Sequence, residues 1–362
     1  MNKIGSSTIS LLDGFRGIAI LLVILYHVGH ILNFGWIGVD LFFVLSGFLI
    51  TGKLVEAIQD KNYFRVFYIK RIARIVPAYY FLLLAVLVIT PALFHSVATP
   101  AFIEMKSHQF HYWLFMVNIL DAYRGWPAYL LFVPLWSLSV EMQFYLLWPF
   151  ITRGYIHFKK MWLLLMIAFC VLAVFFRIYA GYFFNWRPLY RYVMLPGRLD
   201  DFALGGLLYI SWSKDLFKKK YFVFFLLAVL CLVAAISIMI YFHTAWAFSK
   251  SPVDIIGYSV NGLFWFFLIS FSLRTPNKYI QRLLSAKWLT MTGKYSYGMY
   301  LFHVPVYLLV TKCITSLHVS TGIEFVIITF CSVLLTYIIA YLSSTVIERP
   351  FLKVRNIFSL NK

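Results

Sequence analysis

Eleven positions separate Arg16 from His27 in an otherwise apolar segment that also holds Asp13. At 100° per residue this spacing returns both side chains to within about 20° of one helical face, ~16 Å apart along the axis. An imidazole can exchange a proton near neutral pH or attack a carbonyl, and a guanidinium is a permanent cation with a fork of donors. Taken singly, Arg16 paired with Asp13 reads as a topology anchor and His27 as a packed histidine. An ionisable group deep in an apolar helix nevertheless carries a functional hypothesis by default.

Further residues of this kind are scattered through apolar surroundings. GVDLFFVLSGFLI carries Asp40 and Ser46. In YFRVFYIKRIARIVPAYY, Arg71 and Arg74 share one face just before Pro77, a pair suited to phosphate groups or to a membrane surface. WSLSVEMQFYLLWP places Glu141 in an aromatic run, where a lone carboxylate costs ~3 kcal/mol on insertion scales unless it is paired. GRLDDFALGGLL offers Arg198 and Asp201, three apart and able to pair, in a structural or acceptor-binding role. SYGMYLFHVPV brings Tyr300 and His303 onto one face, His303 being either a packed histidine or a contact to an acceptor.

The elements that position these groups are membrane helices. Of 362 residues, 62% are hydrophobic and 12% charged, too apolar for one soluble core. The expected fold is an all-α integral membrane protein of one domain, 1–362. Its ten spans fall near Leu11 to Asn33, Ile37 to Leu54, Ile75 to His95, Pro134 to Ile151, Met161 to Tyr182, Tyr192 to Trp212, Tyr221 to His243, Val253 to Phe271, Tyr295 to Val310 and Ile323 to Ile347. Lysine and arginine concentrate in alternate loops, such as Lys61 to Arg74, Lys218 to Lys220 and Arg274 to Lys294, which puts both termini in the cytoplasm. The net charge of +19 is then topological, matched to anionic lipid rather than to nucleic acid. In the long outer loop from Ser96 to Val133, HYWLFMVNIL is apolar but too short to cross, so a re-entrant or interfacial helix is expected there. Cys170, Cys231, Cys313 and Cys331 lack metal-ligand spacing, and neither a metal nor a disulfide is expected.

Five of these motifs in order, from Arg16 and His27 to SYGMYLFHVPV, resemble the acyltransferase 3 family of multi-spanning membrane proteins. The resemblance covers nearly the whole chain and matches the stand-alone form without an appended SGNH-type domain. It implies acyl transfer, most commonly of acetyl from cytoplasmic acetyl-CoA, to a hydroxyl of a surface polysaccharide or lipid-linked glycan such as O-antigen or exopolysaccharide. The setting it implies is the bacterial cytoplasmic (inner) membrane. Arg16 and His27 match the family's essential pair, Arg71 and Arg74 its cytoplasmic arginine motif, and Glu141 the acidic position of its SLSVE segment; Asp40, Ser46 and His303 also match.

On this reading Arg16, Arg71, Arg74 and Ser46 serve the cofactor, and His27 is the base, oriented by a carboxylate such as Glu141 or Asp40. Arg198, Asp201 and His303 are left for the acceptor. Direct attack and an acyl-histidine intermediate both remain open. The rival readings are a transporter or flippase of lipid-linked sugar, and acyl transfer to a non-carbohydrate acceptor.

Overall fold

The structure, a computed structural model, describes residues 4–93, 99–155, 157–182, 188–242, 253–316 and 321–353. Among them there is no strand, and nine helices are long and apolar enough to cross a membrane. In chain order the α-helices are α1 (Ser6–His27), α2 (Ile37–Glu56), α3 (Tyr63–Leu84), α4 (Thr90–Leu93), α5 (Pro100–Ser107), α6 (Gln109–Trp113), α7 (Val117–Arg124), α8 (Leu135–Arg153) and α9 (Lys159–Tyr182). They continue as α10 (Pro188–Val193), α11 (Leu199–Ser213), α12 (Tyr221–Tyr241), α13 (Val253–Arg274), α14 (Lys278–Leu284), α15 (Lys287–Lys294), α16 (Ser296–Thr315) and α17 (Thr321–Ser343).

Three expectations change. The span expected at Tyr192 to Trp212 is broken: Pro196 and Gly197 sit in a 3-10 turn, Leu195–Arg198, that separates α10 from α11. Helix α11 itself is only 15 residues long. The basic stretch before Pro77 and the third span form one helical run, Tyr63–Leu93, relaxed by a π-helical turn at Ala85–Ile89. Where one short re-entrant or interfacial helix is expected, the long loop forms α5, α6, α7 and a 3-10 turn, Leu130–Phe132. The span ends expected at His95 and His243 lie outside the described residues.

The chain divides into two compact units. The first comprises Met1–Val23, Leu32–Asp60 and Gln143–Lys294. At its centre α2 packs on α11 and α13, α9 covers α11, and α12 lies on α13. Of the apolar window of α2, 72% is buried, against 11% for α12, so α12 turns most of its surface to lipid. Without a hydrophobic drive between helices in lipid, small residues that let backbones approach decide where helices meet. A Cβ on Gly47 would stand 2.2 Å from the Phe202 carbonyl oxygen, and one on Gly205 2.2 Å from that of Val44. Neither backbone can step aside without separating the helices. Gly205→Leu is therefore expected to lower the thermal midpoint of the detergent-solubilised protein by several degrees, consistent with an overpacking cost of about 1–3 kcal/mol; an unchanged midpoint would contradict this packing.

The second unit comprises Ile24–Ile31, Lys61–Met142 and Tyr295–Lys362. Here α16 packs on α17, and α3 meets α6, α16 and a π-helical turn at Ser344–Glu348. The PAYY stretch has a visible local purpose: Tyr79 and Tyr80 donate hydroxyl hydrogen bonds to the carbonyls of Tyr112 (2.8 Å) and Trp113 (2.9 Å), fastening α6 to α3. The Val117 N–H at the start of α7 donates to Ser139 Oγ at 3.3 Å, fastening α7 to α8.

Candidate active site

Helix α1 stops at His27 because the chain turns left-handed there, at Gly29 (φ 64°) and His30 (φ 51°). Glycine adopts that conformation without a Cβ penalty, a usual way to end a helix. His27 thus occupies the last turn of α1, half-buried, at the negative end of the helix dipole. That end favours the positive charge an imidazole gains when it takes a proton.

Facing it is His303 of α16, fully buried, with its Nε2 3.3 Å from His27 Nδ1. The other nitrogen of His303, Nδ1, lies 2.7 Å from the Tyr300 carbonyl oxygen. A carbonyl only accepts, so Nδ1 of His303 carries the proton and its Nε2, in the neutral ring, accepts. His27 must then donate from Nδ1, which leaves the lone pair of neutral His27 on Nε2. Two hydrogen bonds fix the tautomer that a general base needs.

A histidine thus stands at His27 Nδ1, a contact the sequence did not signal. The Asp40 oxygens go elsewhere within the first unit, to Arg198 (2.5 Å) and Asn261 (3.3 Å). Glu141 acts electrostatically on Tyr297 and Tyr300 of α16. One helical turn before Glu141, Ser137 Oγ shares a 2.5 Å hydrogen bond with Tyr300 OH, and Tyr300 also donates to the Pro134 carbonyl at 3.1 Å. The serines of WSLSVE thus brace α16 and α7 while Glu141 faces α16.

Arg71 and Arg74 stand half-buried on α3. Arg74 acts electrostatically on Glu348 and on Tyr297, whose hydroxyl donates to the Ile75 carbonyl at 2.6 Å. The sequence reading passed over Glu348, although a carboxylate followed by Arg349 and Pro350 at the end of an apolar run was a signal of the same kind as Glu141.

The first unit holds the other candidates. Arg16 lies 3.6 Å from Asp13, the anchor pairing expected of it. Ser46 is half-buried on α2. Arg198 is fully buried, bonded to Asp40, 3.9 Å from Asp201, and beside the rings of Tyr192 and Tyr258, whose centroids lie 4.8 and 4.7 Å from its guanidinium carbon. Beside it Arg177 donates to Asp200 (2.8 Å), to Ser259 and to the Gly197 carbonyl. Arg198 and Asp201 thus belong to a buried polar cluster. Among the described residues no three His, Cys, Asp or Glu side chains gather as metal ligands, and all four cysteines are free thiols.

Comparison with known proteins places the chain in a family. The acyltransferase 3 family model, described as an acyltransferase domain, matches residues 9–342. The chain is 31% identical to the peptidoglycan O-acetyltransferase OatA of Listeria monocytogenes and 30% identical to the putative peptidoglycan O-acetyltransferase YrhL of Bacillus subtilis. It is 28% identical to the O-acetyltransferase OatA of Staphylococcus aureus. Each alignment covers 94% of this chain but only 55%, 54% and 57% of the respective relative, so the chain spans about half the length of the curated relatives it matches. No solved structure matches it. With its motifs in family order and the family model covering nearly its whole length, the chain belongs to the acyltransferase 3 family.

Proposed function

We propose that the protein transfers an acetyl group from acetyl-CoA to a hydroxyl of a cell-surface carbohydrate, at His27, in a bacterial cytoplasmic membrane. The observation that carries this reading is the hydrogen-bonded chain from the Tyr300 carbonyl through His303 to His27 Nδ1, which orients the His27 ring. Nε2 takes the proton of the acceptor hydroxyl as its oxygen attacks the thioester carbonyl. A C–O bond forms, the C–S bond breaks, and the CoA thiolate leaves with the proton held by His27. The names of the relatives favour peptidoglycan within the class of surface glycans.

On the donor side, the basic loops supply the cytoplasmic face, and Arg71 and Arg74 match phosphate oxygens in fork geometry. Arg16 keeps the donor-side role that the family resemblance implies.

Kinetics separate these roles. His303→Ala removes the group that orients His27 and is expected to lower kcat about 10²-fold with little change in the KM for acetyl-CoA. Arg71→Ala and Arg74→Ala are expected to raise that KM roughly tenfold or more, the equivalent of one charged hydrogen bond, at nearly unchanged kcat. Steady-state rates on the purified protein with a glycan acceptor measure both. A His303 variant of full kcat contradicts the role given to the histidine pair.

A further inference from the structure

The long loop builds a cavity of its own. Helices α5, α6 and α7 and the segment that follows frame a recess of about 40 Å³, open on one side. Its lining includes Asp121, Glu104, Arg124, Tyr112, Trp126 and Tyr129. The walls are held from below: Tyr79 bonds the Tyr112 backbone, and Ser139 bonds the first N–H of α7.

Among the residues lining the recess, Asp121 stands out. It is 1% exposed, and neither carboxylate oxygen has a hydrogen-bond partner in the protein. Buried polar groups are nearly always satisfied, so an orphaned carboxyl lining a cavity implies a partner that arrives from outside. At the rim Arg124 pairs with Glu104 at 3.3 Å, both about half exposed, presenting planar donors and acceptors. Half-buried aromatic rings of Trp126 and Tyr129 flank the opening. Flat aromatic surface beside fixed, planar polar groups is the chemistry that holds a sugar ring, whose C–H face stacks while its hydroxyls find bidentate partners.

The geometry points to a saccharide-binding subsite here, in which Asp121 receives adjacent hydroxyl or acetamido groups of a neutral sugar unit of the acceptor glycan. This rests on the carbohydrate-acceptor reading and on the charge asymmetry that puts this loop outside. Burial without a partner also pushes the Asp121 carboxyl well above the usual carboxylate range. In its acid form it presents a donor and an acceptor side by side.

The full-length protein in nanodiscs is titrated with two neutral probes, the N-acetylglucosamine trimer and maltotriose, by calorimetry. At least one is expected to bind. Asp121→Ala should weaken binding roughly tenfold and Trp126→Ala roughly fivefold. Asp121→Asn, which keeps a donor and an acceptor, should stay within about threefold of wild type. Asp121→Ala should also raise the thermal midpoint, because it removes an unsatisfied buried group. No binding of either probe, or equal binding by wild type and Asp121→Ala, overturns the subsite. Acetyl-CoA turnover is read on the same samples. Asp121-dependent binding without turnover refutes the enzyme reading and leaves the subsite standing, whereas turnover with Asp121-independent binding refutes only the subsite.

Discussion

His27→Ala is expected to lower the rate of acetyl transfer by about 10³-fold, within the 10²–10⁴ range of a positioned general base. No other change in the chain should remove so much activity with so little effect on folding. The ring is half-buried at a helix end, not part of a packed core. Its loss leaves the His303 hydrogen bond to the Tyr300 carbonyl intact. The thermal midpoint should therefore stay within a few degrees of wild type while kcat collapses and the KM for acetyl-CoA holds. Acetyl transfer from radiolabelled acetyl-CoA, read beside a thermal melt, checks both. A melt that collapses with the rate would recast His27 as structural.

Arg198→Met is expected to have the largest effect on stability. It leaves Asp40 and Asp201 buried without the cation that both face, and breaking a buried pair from one side costs about 3–5 kcal/mol. The double variant Asp40→Asn/Arg198→Met removes charge on both sides and should recover at least about half of that loss, because a buried ion pair and an apolar replacement are nearly equivalent in free energy. Denaturation of the four proteins of this cycle in detergent measures the coupling. Simple additivity of the two single changes would show that the pair does not act as a unit.

Much of this was legible in the sequence because lipid makes ionisable residues conspicuous. Asp40, Arg198, Glu141 and His27 stood out from apolar runs for the reason they matter: each needs a partner inside the protein. Partner choice was not legible. The contact of His27 with an imidazole 276 positions away is an example, since only the packing of α16 determines it. The break between α10 and α11 was signalled by Pro196 and Gly197, but the apolar run around them satisfied the length rule for a span. Asp121 was not legible because it directly follows the apolar HYWLFMVNIL, whose pattern signals a membrane-associated helix and says nothing of what the end of that helix lines.

The most direct test of the central claim uses proteoliposomes loaded with [14C]acetyl-CoA, with glycan acceptor supplied outside. Wild-type protein should place alkali-labile label on the external glycan, and His27→Ala protein should not. Movement of glycan across the membrane without label, or equal labelling by the His27 variant, would contradict acyl transfer at His27.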